Sequence, residues 1–135
     1  MVEFAFVVVL LIALLYGIIS YGLILSAQST VTQAAADGAR AGIVASTTAK
    51  LTAEAQAGTD VGWMDKGTCA ESGTTITCVA SVAPCASNAN NQCLTVTVNY
   101  NYNSNPLFPE LPGMGVITPS TISSTDVLQI SNPSS

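Results

Sequence analysis

The sequence lacks histidine altogether and contains few charged residues. Without histidine, no Ser-His or Cys-His pair can form, so the common nucleophilic arrangements of hydrolases are excluded. Only three residues are basic, namely Arg40, Lys50 and Lys66, against eight acidic ones, and the net charge is −5. Because so few cations cannot form a basic patch, the charge argues against nucleic acid as a partner, and we predict none.

Motifs that hold cofactors or metals are also missing. The sequence contains neither a GxxxxGK[ST] phosphate-binding loop nor a GxGxxG dinucleotide fingerprint. Asp60 and Asp65 lack the ligand spacing of an EF-hand, so solvated loop acids are the better interpretation. We therefore predict a protein that is not an enzyme, with no catalytic residues, no metal and no cofactor.

The dominant feature that is present is an apolar run from Phe4 to Leu25, without charge or proline. As a helix this run is about 33 Å long, and the hydrocarbon core of a bilayer is about 30 Å thick. We predict a membrane-spanning helix over residues 1–25, because the run is longer than the apolar region of a typical cleaved signal peptide. Glu3 lies directly before the run, where a carboxylate is costly in lipid unless it is paired.

Residues 26–57 continue the helical pattern with small and polar side chains. Alanine is frequent and proline is absent, both of which favour helix. We therefore predict one helix from about residue 2 to residue 57, on the order of 80 Å long, with Gly58 as its stop. Small residues recur along it at helical spacing and would let another helix approach closely: Val31, Ala34, Ala35, Gly38, Ala41, Gly42, Ala45 and Ala49.

Three local features of this helix carry further predictions. Gly17 and Gly22, with a serine between them, are the expected weak point, where the helix should loosen. Asp37 and Arg40 are three residues apart and can form an ion pair. Just beyond the helix, Trp63 is predicted to be a packing anchor between the helix and the rest of the chain.

The remaining residues, 58–135, predict a small antiparallel β domain. Apolar and polar residues alternate over residues 75–82 and, most clearly, over residues 94–102, which is typical of half-buried strands. The polar stretch PCASNANNQC between them predicts a long hairpin loop. A proline-rich link, NPLFPELPGMG, cannot be a central strand, and a third strand is predicted within Ile122–Ile130. The tail NPSS is predicted to be loose.

All four cysteines lie in this β domain, within residues 69–93. An even number of crowded cysteines without CxxC spacing or histidine indicates disulfides in an oxidising compartment rather than a zinc site. Cys85 and Cys93 flank one polar loop, and Cys69 and Cys78 flank a turn-like stretch. Of the three possible connectivities we therefore favour Cys69–Cys78 with Cys85–Cys93.

These segments resemble a known family. A glutamate beside a long apolar helix, followed by a small-residue helix and a minimal sheet, resembles a type IV pilin. The stretches VEFAFVVVLLIALLYGIISYG, QSTVTQAAADGARAGI and LTVTVNYNYNSNPLFPELPGMGVIT resemble, in that order, TadE-like pseudopilins of the tight-adherence (Tad/Flp) pilus system. Together they cover about half of the chain. The short basic leader of family members is not visible before Glu3.

The resemblance implies a structural subunit of an extracellular type IV pilus-like filament that serves adhesion. Such subunits reside in the inner membrane, are cut by a prepilin peptidase and are assembled by the pilus machinery with copies of themselves and other pilins. Glu3 would pair with the terminal amine of a neighbour. The side chains expected to pack in the filament core are Phe4, Phe6, Val9, Leu11, Leu14, Ile18 and Leu25.

One alternative remains open at this point. The chain would also suit a bitopic membrane protein with a small extracytoplasmic domain, such as a minor pseudopilin or an envelope factor that does not form a filament shaft. In that case the apolar helix would stay in lipid and Glu3 would be an interfacial charge.

Overall fold

A helix of 43 residues, α1, begins at Val2 and ends at Val44. The computed structural model describes residues 2–64, 69, 75–104, 106–107 and 119–130. After α1 come a short 3₁₀ turn, Ser46–Thr48, and a second helix, α2, Ala49–Val61. Three strands follow: β1 at Ile76–Cys85, β2 at Asn88–Tyr100 and β3 at Ile122–Ile130. The predicted α+β class, a long N-terminal helix with a small antiparallel sheet, is confirmed.

The predicted extent of the first helix is wrong, because the chain turns back after Val44 and α2 packs against α1. A Cβ added to Gly38 would lie 2.8 Å from the carbonyl oxygen of Ala53 and 3.2 Å from the Cβ of Ala57. A Cβ added to Gly42 would lie 2.8 Å from the carbonyl oxygen of Ala49. Since higher residue numbers on α1 face lower numbers on α2, the two helices form an antiparallel hairpin.

Three consecutive hydroxyl residues at the reversal make helix less favourable there without forbidding it. Serine and threonine favour helix less than alanine, since their side chains compete for backbone hydrogen bonds. They follow Ala45 directly, and the amide of Thr48 donates to the carbonyl of Ala45 at 3.0 Å, which closes the tight turn. The helix stop predicted at Gly58 is also corrected, because α2 continues to Val61.

The sheet has the strand order β1-β2-β3, with both pairs antiparallel. In the central strand, alternate residues Leu94, Val96, Val98 and Tyr100 are buried, so the predicted alternation is confirmed. The predicted third strand is confirmed at Ile122–Ile130.

The hairpin between β1 and β2 is tighter than expected. Most of the stretch predicted as a loop is strand: Pro84 is paired with Gln92, and the turn itself is formed by Ala86 and Ser87. Pro84 is tolerated because β1 is an edge strand and because the pairing with β2 becomes irregular directly after Pro84. The predicted long loop is therefore wrong.

The core lies between the helix hairpin and one face of the sheet. The helices supply small side chains and the sheet supplies larger ones, so the helices approach the sheet closely. The buried helix residues are Ile24, Ala27, Val31, Ala34, Ala35, Ala39, Ala53, Ala57 and Val61. The buried strand residues are Ile76, Cys78, Ala80, Leu94, Val96, Val98, Tyr100 and Ile122.

Both edge strands have a backbone N–H that donates to a carboxylate. The amide of Ala80 in β1 donates to Oε1 of Glu54 in α2 at 3.1 Å, and the amide of Val127 in β3 donates to Oδ1 of Asp126 at 2.9 Å. Exposed strand edges are sites where further strands can add. Carboxylates bonded to edge amides disfavour such addition.

Two disulfides join the pairs that the sequence favours, Cys69–Cys78 and Cys85–Cys93. The first ties the segment after α2 to β1, and Cys69 lies directly against Gly58, where an added Cβ would be 2.9 Å from the Cβ of Cys69. The second ties the last residue of β1 to Cys93 in the first half of β2.

Other predictions have mixed outcomes. The Asp37–Arg40 ion pair is confirmed, with 3.4 Å between oxygen and nitrogen, and is exposed. Trp63 is 56% exposed, so its prediction as a packing anchor is wrong. The proline-rich link, except for residues 106–107, and the tail 131–135 lie outside the described residues.

Candidate functional site

The first half of α1 exposes its apolar side chains almost all round. Phe4 and Phe6 are 75% and 74% exposed, and every residue from Glu3 to Leu15, apart from the half-buried Val8, is exposed. Only from Ile24 onwards does the helix have fully buried side chains. Because large apolar side chains on a helix must be covered by something, this half of α1 is the candidate functional site.

Helix α1, to which the site belongs, is long enough to cross a membrane. By length and composition, Glu3–Val44 is a candidate membrane-spanning helix, and its most apolar window is almost unburied by the rest of the chain. The core helix of a soluble protein would be buried by its own fold, whereas this one is not.

The seven side chains predicted to pack in a filament core are all exposed, but they do not share one face. At about 100° per residue, five of them fall within an arc of about 80°, and we call this set the outer stripe: Phe4, Leu11, Leu14, Ile18 and Leu25. Phe6 and Val9 lie on the other side of the helix.

The outer stripe points away from the sheet. The same helical geometry places the buried residues of the second half of α1, such as Ala27, Val31 and Ala35, on the side of Phe6 and Val9. Since the chain's own domain lies on that side, a partner helix can reach the outer stripe along its whole length without meeting the sheet. The spacing of seven residues between Phe4, Leu11, Ile18 and Leu25 is the signal in the sequence that predicts this stripe.

Glu3 lies in the first turn of α1 and is exposed. A carboxylate at a helix N-terminus is favoured by the helix dipole. Within the described part of the chain, Arg40 pairs with Asp37, and Glu3 forms no ion pair. The structure therefore places an exposed carboxylate at one end of the apolar surface.

Gly17 and Gly22 do not weaken the helix. Helix α1 is uninterrupted from Val2 to Val44, so the predicted loosening at these glycines is wrong for the single subunit. A Cβ added at either position would meet no atom within 4 Å, so packing within the chain does not require glycine there.

Residues 1–40 match the family model described as TadE-like protein. The N-terminal segment is TadE-like. A comparison with curated proteins and one with solved structures gave no significant match. The TadE-like match includes Glu3 and the whole outer stripe, and it supports a Tad pilus-associated protein with an apolar N-terminal helix.

The rest of the resemblance lies outside this match. The likeness of residues 94–118 to the strands of the family and the relation to type IV pilins at large stay predictions. The TadE-like family is structural rather than enzymatic. Among the described residues there is no group of three or more His, Cys, Asp or Glu that could hold a metal. The predicted absence of catalysis and of cofactors stays a prediction.

Sequence reasoning missed one feature of the site, the use of the small-residue stripe. The sequence predicts that another helix packs closely against Gly38 and Gly42 but does not say which one. In the structure that helix is α2 of the same chain. The second half of α1 is therefore occupied within the subunit. The apolar first half is the part of the helix that stays exposed.

Proposed function

We propose that this chain is a structural subunit of an extracellular pilus-like filament, which assembles by packing the apolar half of α1 against the same helix of neighbouring subunits. The observation that carries the proposal is the outer stripe, an exposed apolar surface on the side of the helix away from the sheet. The TadE-like match over the same residues supports it. Adhesion to surfaces is the proposed role of the filament.

The membrane is the proposed store for the subunit before assembly. In lipid, the apolar half of α1 is already out of water, so assembly gains little from the hydrophobic effect. The gain must come from side-chain packing between helices and from polar groups that find partners. A regular stripe with a spacing of seven residues suits such packing, because facing helices can interlock along it.

Glu3 is proposed to set the register between subunits. A carboxylate in the filament core is desolvated and needs a countercharge at one defined place. The resemblance suggests the N-terminal amine of a neighbour as that countercharge. Cutting by a prepilin peptidase, which would create that amine, and export by the pilus machinery belong to the same proposal.

The test compares two double variants in cells that make the protein. Leu11→Ala with Ile18→Ala removes two side chains of the outer stripe, which are 55% and 62% exposed. Leu10→Ala with Ile12→Ala removes one leucine and one isoleucine of similar exposure, 59% and 58%, outside the stripe. Both variants lose the same number of methyl and methylene groups, so membrane insertion should change equally.

The readout is the amount of the protein in filaments sheared from the cells, by electron microscopy and mass spectrometry, at equal membrane levels. We expect the stripe variant to lose most of its filament yield and the control to keep it. Equal yields from both variants would contradict packing through the stripe. If the unaltered protein stays in the membrane and never enters sheared filaments, the chain is a bitopic membrane protein instead.

A further inference from the structure

The face of the sheet that points away from the helices carries no charge in its strands. In the regular part of the pairing, residues 76–84, 92–100 and 122–130, alternation puts the odd-numbered residues on this face, which we call the outer sheet face. Its members are Thr77, Val79, Ser81, Ala83, Cys93, Thr95, Thr97, Asn99, Ser123, Thr125, Val127 and Gln129. Hydroxyl and amide groups predominate, although the chain as a whole has a net charge of −5.

A groove of about 280 Å³ lies at one end of the outer sheet face. The register places Thr77, Asn99 and Ser123 side by side across the three strands. Asn101 and Thr121 line the groove one step further along, where the amide of Asn101 donates to the carbonyl of Thr75 at 2.8 Å. With strands about 4.8 Å apart, the polar groups form a grid about 10 Å wide.

The lining selects a class of ligand. Hydroxyl and carboxamide groups both donate and accept hydrogen bonds, as sugar hydroxyls do. Among the described residues that line the groove, none is charged to offer an ionic ligand a countercharge, and none is a large aliphatic residue that would favour an apolar ligand. The volume is near the lower end of small-molecule sites, about 300 Å³, which suits one or two sugar rings.

We propose that this groove binds an uncharged saccharide of one or two rings. Asn99 lies at the centre of the grid, with the hydroxyls of Thr77 and Ser123 on either side of it. The proposal rests on the sheet alone and does not depend on filament assembly. It gives the small β domain a binding role of its own.

The test titrates the isotope-labelled full-length chain, in micelles of a phosphocholine detergent without sugar headgroups, with maltose and with diacetylchitobiose. Nuclear magnetic resonance follows the side-chain amides of Asn99 and Asn101. Digalacturonate, a two-ring sugar with two carboxylates, is the matched ligand control. We expect saturable shifts at the groove with at least one neutral disaccharide and none with digalacturonate.

Matched variants on the same face distinguish the groove from general contact with the sheet. Thr77→Val removes a groove hydroxyl, and Thr95→Val removes one outside the groove with the same change of shape. Ser123→Ala and Ser81→Ala form a second pair. We expect binding to weaken about fivefold for each groove variant, the effect of one lost hydrogen bond, and to stay unchanged for each control.

Three results would overturn the proposal. The first is that neither neutral disaccharide produces saturable shifts. The second is that digalacturonate binds as well as the neutral disaccharides. The third is that the groove variants and their control variants weaken binding equally. The two variant pairs are independent, so a folding defect in one leaves the other to decide.

Discussion

The two halves of helix α1 have the same backbone and opposite environments. From Phe4 to Leu15 the side chains are apolar, mostly large and almost all exposed, whereas from Ile24 to Gly42 one face carries mostly small residues and is buried under α2 and the sheet. A helix covered by its own domain needs small residues because backbones and strands must come close. A helix left for lipid or for neighbouring subunits has no such constraint and keeps large side chains.

The first test of this difference removes the one charge of the exposed half, Glu3. Glu3→Gln should leave the β domain folded and the chain inserted in the membrane, yet abolish filament assembly. If a buried ion pair forms in the filament, loss of the carboxylate strands the neighbour's ammonium at a cost of roughly 3–5 kcal/mol per subunit. Sheared-filament yield at equal membrane levels measures the effect. Yield equal to that of the unaltered chain would show that Glu3 is only an interfacial charge.

The second test makes one substitution in both environments. Leu94 is fully buried beneath Gly42, so Leu94→Ala should destabilise the folded domain by about 2–5 kcal/mol. Leu11→Ala, on the exposed half, should change the free energy of unfolding by less than about 0.5 kcal/mol. Denaturant unfolding of the full chain in micelles, followed by the fluorescence of Trp63, measures both. Similar losses for the two variants would mean that the exposed half contributes to the fold of the domain.

The third test concerns the crosslink at the far end of the sheet. Replacing Cys85 and Cys93 together by serine removes the disulfide that closes the loop between them, whose ends have a sequence separation of 8. Loop-closure entropy then predicts a loss of about 2.5 kcal/mol. The unfolding midpoint of the double variant should fall, while the Cys69–Cys78 link remains visible in non-reducing peptide maps. Recovery of Cys69 linked to Cys93 or Cys85 in the unaltered protein would refute the connectivity.

The fourth test compares glycines in the two halves. At Gly42 an added methyl group would meet the side chain of Leu94 and lie 2.8 Å from the carbonyl oxygen of Ala49, so Gly42→Ala should cost about 1–3 kcal/mol. At Gly22 an added methyl group meets nothing. Gly22→Ala should therefore leave the domain's stability unchanged. If Gly42→Ala were as harmless as Gly22→Ala, the close packing of α1 on α2 would be disproved.

The smallest expected effect is at the edge of β1. Glu54→Ala removes the acceptor of the Ala80 amide and should cost about 1 kcal/mol. Glu54→Gln keeps a side-chain oxygen at the same place and should recover most of that loss. The unfolding midpoints of the two variants provide the comparison. Equal losses would indicate that charge, rather than the hydrogen bond to Ala80, stabilises this edge.

Several features followed from the sequence because local pattern and final environment agree. The apolar run from Phe4 to Leu25 has few structural options other than a helix, and α1 runs through all of it. The alternation Leu94, Val96, Val98, Tyr100 matches the strand period, and β3 occupies the stretch Ile122–Ile130 within which a strand is predicted. In each case a local feature of the sequence, an unbroken apolar run or an alternation, is itself the physical cause of the structure.

The end of α1 at Val44, the hairpin with α2 and the long pairing of β1 with β2 were decided only by tertiary structure. Residues 45–48 contain neither glycine nor proline, so local propensity weakly disfavours helix there without forbidding it. A straight helix would leave Gly38 and Gly42 and the alanine face of α2 without partners, whereas folding back buries them against each other and Leu94. The energy of that burial comes from contacts distant in sequence, which no local pattern contains.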